Sequence, residues 1–157
     1  ASFEGSRPLL VEVQALVSPT TYGNPRRTAV GVDTGRLALL MAVLAPRAAL
    51  TIGAAAVFLH VAGGLRLDEP AADLPILAAL ASSHMNRAVD GTTAVFGEVG
   101  LGGEIRSVSS ADARIAEARQ LGFKRIVLPE GNRDASSAEG MILVPVSRVD
   151  AALEALW

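Results

Sequence analysis

Residues 54–83 read AAAVFLHVAGGLRLDEPAADLPILAALASS, and this stretch decides the fold. Ala54 to Ala62 is apolar apart from one histidine, and its alternation puts Phe58, His60 and Ala62 on one face of a buried strand. Gly63-Gly64 turns the chain. A helix is expected from about Ala72 to Ser83, with Leu74, Leu77 and Leu80 toward the core. Pro75 falls in its first turn, where a missing N–H costs nothing. Between strand and helix stands Asp68-Glu69-Pro70-Ala71-Ala72-Asp73. Such a turn often holds a nucleophile, because the helix N-terminus stabilises developing negative charge. Here it offers Ala71 and Ala72, which have no nucleophilic atom, so it reads as catalytic architecture with its chemistry removed.

On the N-terminal side, Pro8 to Pro19 alternates as a strand, with Val11, Val13 and Ala15 on one face and Glu12 and Gln14 on the other. SPTTYGNP, residues 18–25, is turn chemistry, and Thr28 to Val32 is expected to return as the second arm of a hairpin. Asp33 or Thr34 caps a helix from Arg36 to about Leu44, which Pro46 ends. On the C-terminal side, Thr92 to Glu98 and Glu104 to Val108 are strands joined by the glycines at 100, 102 and 103. Ser109 or Ser110 caps a helix that Gly122 ends after Leu121. Lys124 to Pro129 and Met141 to Val146 are short apolar strands of a covered sheet. Glu130 to Gly140 is polar and expected to be mobile, and Val149 to Trp157 is a closing amphipathic helix. The first half leans to hairpins and the second to β-α-β, so the class is α+β (mixed α/β), with one domain over residues 1–157.

The chain has 157 residues, half of them apolar, enough to bury a sizeable core. A formal net charge of −2 gives no global pull toward nucleic acid or acidic lipid, so any such contact must be local. Without cysteine there is no disulfide, thiolate metal site or cysteine nucleophile. No signal peptide or membrane helix is visible, since Pro46, Arg47 and Gly53 break the longest apolar stretch. A strand signal so close to the first residue, Ala1, suggests a piece of a larger protein.

A specific ordered set runs through the chain: EGSRPLLVEVQALVSP, PRRTAVGVD, GRLALLMAVL, VAGGLRLDEPAADLPILAALASS, GEVGLGGEIRSV and ARQLGFKRIVLPEGN. With it the chain resembles the C-terminal, Lon-protease-like domain of the RadA (Sms) family of bacterial DNA repair and recombination proteins. The resemblance implies a hexameric ring on DNA that drives branch migration at recombination intermediates. It implies DNA, single-stranded or branched, and RecA recombinase as partners, and a cytoplasmic setting without membrane. The family's zinc motif and ATPase core precede this domain. This chain has neither cysteine nor a Gly-x-x-x-x-Gly-Lys-Ser/Thr loop, so zinc, ATP and Mg are expected only of a full-length protein. Lon peptidases carry a Ser–Lys dyad in a related setting. By that resemblance Ala71 occupies the serine position and Asp112, aligned without gaps, the lysine position. Neither half of the dyad remains, and no peptidase activity is expected.

The residues alone read Arg26 and Arg27 rather as a solvated edge that discourages aggregation; the resemblance reverses this and favours a DNA-facing or inter-subunit role. Arg36 joins that patch or pairs with Asp33, the pairing being preferred, and His60 is either a structural residue or a DNA contact. Arg66, Asp68, Glu69 and Asp73 crowd the turn. The preferred reading pairs Arg66 with Asp68 or Glu69 and lets one carboxylate cap the helix, with no metal. Ser82-Ser83-His84 is a helix end rather than a dyad, Lys124-Arg125 is solvated, and the glycine run at 100–103 is a hairpin turn. Two rivals stand beside a ring scaffold: a peptidase using a serine such as Ser109 or Ser110, and a stand-alone protein-interaction adaptor.

Overall fold

The structure is a computed structural model that describes residues 2–4, 6–20, 23–46, 52–135 and 139–157. In chain order its elements are β1 (Ser2–Glu4), β2 (Arg7–Leu9), β3 (Val13–Pro19), β4 (Arg27–Val30), α1 (Thr34–Leu44), β5 (Ala55–Val61) and α2 (Asp73–Met85). They continue with β6 (Thr93–Val95), β7 (Glu98–Val99), β8 (Ile105–Arg106), α3 (Ala111–Gln120), β9 (Arg125–Pro129), β10 (Ile142–Val146) and α4 (Val149–Leu156). The mixed α+β class read from the sequence holds. Two three-stranded sheets, ordered β3-β5-β4 and β10-β9-β6, form the body, with β1-β2 and β7-β8 as small antiparallel ribbons.

In the first sheet β5 lies in the centre, with β3 antiparallel and β4 parallel to it. The expected hairpin between the strand ending at Pro19 and the one starting at Thr28 does not form. The parallel pairing needs a crossover, and α1 supplies it between β4 and β5. Central place goes to the most apolar strand: Val57, Leu59 and Val61 are at most 2% exposed. These three pack with the α1 and α2 side chains Leu37, Leu40, Leu74 and Leu77. Asp33 caps α1 as expected, its Oδ1 accepting from the Arg36 N–H at 2.9 Å.

The second sheet is all parallel and covered on both faces, as its apolar strands require. Ile126 and Leu128 face Ile115 and Ala118 of α3, while Val127 and Val146 face the main core with Leu153 and Leu156 of α4. Gly122, at φ +86°, terminates the turn after α3.

Three boundaries differ from expectation. The strand expected from Pro8 to Pro19 is split, because the chain leaves β1's partner and joins β5; there the Glu12 carbonyl accepts from the Ala62 N–H at 3.0 Å. The strand expected from Thr92 to Glu98 breaks at Gly97, whose backbone turns away to bond the head of α2. Ser110 takes the cap position of α3 with left-handed backbone, φ 57°, and its side chain makes no capping bond. The tip of the turn at 18–25 (residues 21–22) and part of the polar stretch 130–140 (residues 136–138) lie outside the described residues.

Candidate functional site

The turn before α2 is a 3-10 turn, Pro70–Ala72, entered through extended Glu69. Two backbone bonds stitch it to the strand segment beside it: Gly97 N–H to the Ala71 carbonyl and Leu74 N–H to the Gly97 carbonyl, both 3.0 Å. Ala71 is 1% exposed and Ala72 4%, so the turn buries two methyl groups. Asp112 lies at the second position of α3 and is exposed.

Each carboxylate around the turn is held by an arginine. Asp73, 3% exposed, accepts from Arg36 Nε at 2.5 Å and from the Val99 N–H at 3.1 Å. One carboxylate therefore ties α1, α2 and β7 together. Burial raises its pKa above the ordinary 3.8; the Arg36 and Val99 hydrogen bonds oppose this without cancelling it. Glu69 receives both terminal nitrogens of Arg114, Nη1 to Oε1 at 3.1 Å and Nη2 to Oε2 at 2.5 Å. Arg114 is 2% exposed, also donates from Nε to the Ser109 carbonyl at 3.1 Å, and lies 5.9 Å from the Phe96 ring centre. Its planar fork fits this two-point grip on a carboxylate. Asp68 pairs with Arg66 in the open at 3.1 Å.

The sequence expectations fare unevenly here. Arg66 does pair with Asp68, but no carboxylate caps α2, whose cap position is Ala72 with no side-chain capping bond. Arg36 does not pair with Asp33, whose side chain is spent on the cap; it reaches Asp73 on another helix. Glu69 turns away from Arg66 to Arg114, a residue that sequence reasoning did not single out, since an arginine in a polar helix carries no local sign of burial. Arg125 is not simply solvated: its Nη2 donates to the Ala155 carbonyl at the end of α4. Ser82-Ser83-His84 does lie in the last turn of α2: Ser82 Oγ donates to the Arg87 carbonyl at 2.7 Å, while Ser83 Oγ reaches β3 and accepts from the Val17 N–H at 2.9 Å. The glycine run at 100–103 does turn the β7-β8 hairpin.

Of the four basic candidates, three lie on the first sheet. Arg26 and Arg27 are exposed at the start of β4, Arg27 Nη2 donating to the Gly53 carbonyl at 2.9 Å. His60 is exposed on β5, opposite Gln14 of β3 and Val30 of β4. Arg36 is drawn off by Asp73 into a groove of about 450 Å³ that Leu39, Leu101 and Arg106 help to line. No helix among the described residues is long and apolar enough to cross a membrane.

The sequence profile of the family described as "Subunit ChlI of Mg-chelatase" matches residues 43–132. Among curated proteins, the chain is 50% identical over 155 residues to DNA repair protein RadA of Halalkalibacterium halodurans, covering 98% of this chain and 34% of that protein. It is 48% identical to DNA repair protein RadA of Bacillus subtilis, over 98% of this chain and 34% of that protein. Against DNA repair protein RadA of Pseudomonas aeruginosa it is 46% identical, over 100% of this chain and 35% of that protein. The chain thus spans about a third of the length of these relatives. On the strength of the profile match over residues 43–132, the chain belongs to the family described as subunit ChlI of Mg-chelatase, and 96–100% of its length is similar to proteins named DNA repair protein RadA.

Proposed function

We propose that this domain is a non-catalytic scaffold in a RadA-like DNA repair and recombination motor, helping to assemble a hexameric ring and to bind DNA during branch migration. The observation that carries the reading is the similarity itself, 46–50% identity over nearly the whole chain to proteins named for DNA repair. The turn before α2 fits a scaffold: it buries two methyl groups, and its carboxylates are spent on structural ion pairs. Those same pairs speak against a divalent-ion site there, because the three carboxylates an ion would draw on already face arginines. A motor needs an ATPase core, which on this reading lies elsewhere in the full-length protein together with its zinc motif; that protein would hydrolyse ATP in a DNA-dependent way. RecA recombinase and the cytoplasm follow from the same resemblance.

Two experiments test it. In the full-length protein, joint Arg26→Ala and Arg27→Ala substitution weakens DNA binding and lowers its salt dependence, while circular dichroism is unchanged. Undiminished binding at low ionic strength would remove these two residues from the DNA interface. A serine-reactive fluorophosphonate probe leaves the chain unlabelled. Labelling that disappears on replacing Ser109 or Ser110 would replace the scaffold with a peptidase.

A further inference from the structure

We propose that the open face of the β3-β5-β4 sheet is a stacking platform for single-stranded nucleic acid, with bases on Phe58 and His60 and a phosphate at Arg26. This rests on the DNA-binding reading above and names the form of DNA and the surface that takes it. The register places side chains on that face in rows: Leu16, Phe58 and Thr28 in one, Gln14, His60 and Val30 in the next. Arg26 has the parity of Thr28 and Val30 and is exposed one row further on, beside Ser18 and Ala56. The helices α1 and α2 cover the opposite face, through Ala15, Leu59 and Ala29. Leu16 is 58% exposed and Val30 52%, so the rows are open to solvent.

The composition of this face selects its occupant. Two ring side chains stand two positions apart on the central strand, about 6.6 Å by strand geometry. Successive bases of a stretched single strand can lie on them, as on other sheet platforms that stack bases on aromatic side chains. The three rows hold a cation at one end and no carboxylate, on a chain whose net charge is −2. That suits a polyanion better than the chain's net negative charge does. The nearest acid of the same parity, Glu12, accepts from Gln14 Nε2 at 2.9 Å. Polar side chains among the rows, exposed Gln14 and Thr28 among them, would meet donors and acceptors on base edges, whereas an apolar protein partner would offer them none.

The test is binding of a dye-labelled oligothymidine to the 157-residue chain, read by anisotropy at low ionic strength. His60→Ala and Phe58→Leu each weaken binding, by roughly tenfold for a lost stacking partner, while Phe58→Trp retains it. Leucine keeps the half-buried position filled, and circular dichroism checks that each variant folds. A duplex of the same sequence binds more weakly, because paired bases hide their faces. Photocrosslinking with 5-iododeoxyuridine in the oligonucleotide places the adduct on the β5 peptide. If Arg26→Ala with Arg27→Ala loses binding while the Phe58 and His60 variants bind as wild type, the platform is refuted and the broader DNA reading stands. If the unaltered chain binds no oligonucleotide, both fall. If Leu16→Glu or Val30→Glu breaks up an oligomer in sedimentation and leaves DNA binding unchanged, the face belongs to a second copy and the platform is refuted.

Discussion

Replacing Glu69 with alanine tests the strongest structural claim about the turn. It takes from the guanidinium of Arg114, which is 2% exposed, its two-point carboxylate partner at 2.5 and 3.1 Å. Removing one partner of a buried pair costs about 3–5 kcal/mol, because the remaining charge is uncompensated. Glu69 is itself 24% exposed in its side chain, so the pair is not fully dry, and the expected loss is at the low end, about 3 kcal/mol. For a domain of this size that lowers Tm by about 6–12 °C. Arg114→Met costs less, since the carboxylate it leaves behind can reach water and the methionine fills much of the arginine's volume. The double variant Glu69→Gln with Arg114→Met returns to within about 1 kcal/mol of wild type. Urea unfolding followed by far-ultraviolet circular dichroism measures all three. The reasoning fails if Glu69→Ala costs less than about 1 kcal/mol, or if Arg114→Met proves the more damaging single change.

Three further outcomes are expected. Because burial raises the pKa of Asp73 above 3.8, the folded state binds this proton more tightly than the unfolded one, so the carboxyl's contribution to stability falls as pH rises through that window. Urea midpoints at several pH values should show wild type losing ground to Asp73→Asn as pH increases from about 4, and the opposite trend would contradict the direction of the shift. Gly31→Ala should destabilise by about 2–6 kcal/mol, strain and overpacking each adding about 1–3. Its backbone sits at φ +86°, and a Cβ there would stand 2.5 Å from the Leu65 carbonyl oxygen and 2.7 Å from Val61 Cβ; thermal unfolding decides this. Ser83→Ala removes the acceptor of the Val17 N–H and should cost about 1 kcal/mol, read from the same melts.

What the sequence made legible was whatever a local pattern specifies. Alternation from Val11 to Ala15 tells inside from outside, Asp33 announces the start of α1, and the glycine run announces the β7-β8 turn. Adjacency in space was not legible. Alternation says which side chains face inward, not which strand lies next door, and so it suggests a β3-β4 hairpin where β5 in fact stands between the two. Ion pairing failed for the same reason. Arg36 has an acidic neighbour three positions back and a better one 37 positions ahead, and only folding reveals the second. Arg114 and Glu69, 45 positions apart, gave no sign of each other.

The placement of β5 between two earlier strands has a consequence for synthesis. On the ribosome the segments that become β3 and β4 emerge first, yet in the finished sheet they never touch, and each bonds only to a strand made later. A nascent chain halted before Ala55 therefore holds β3 and β4 without their ladder partner, whatever the β1-β2 ribbon has formed. The first cooperative unit can close only after the seventh residue of that central strand, Val61, has left the exit tunnel.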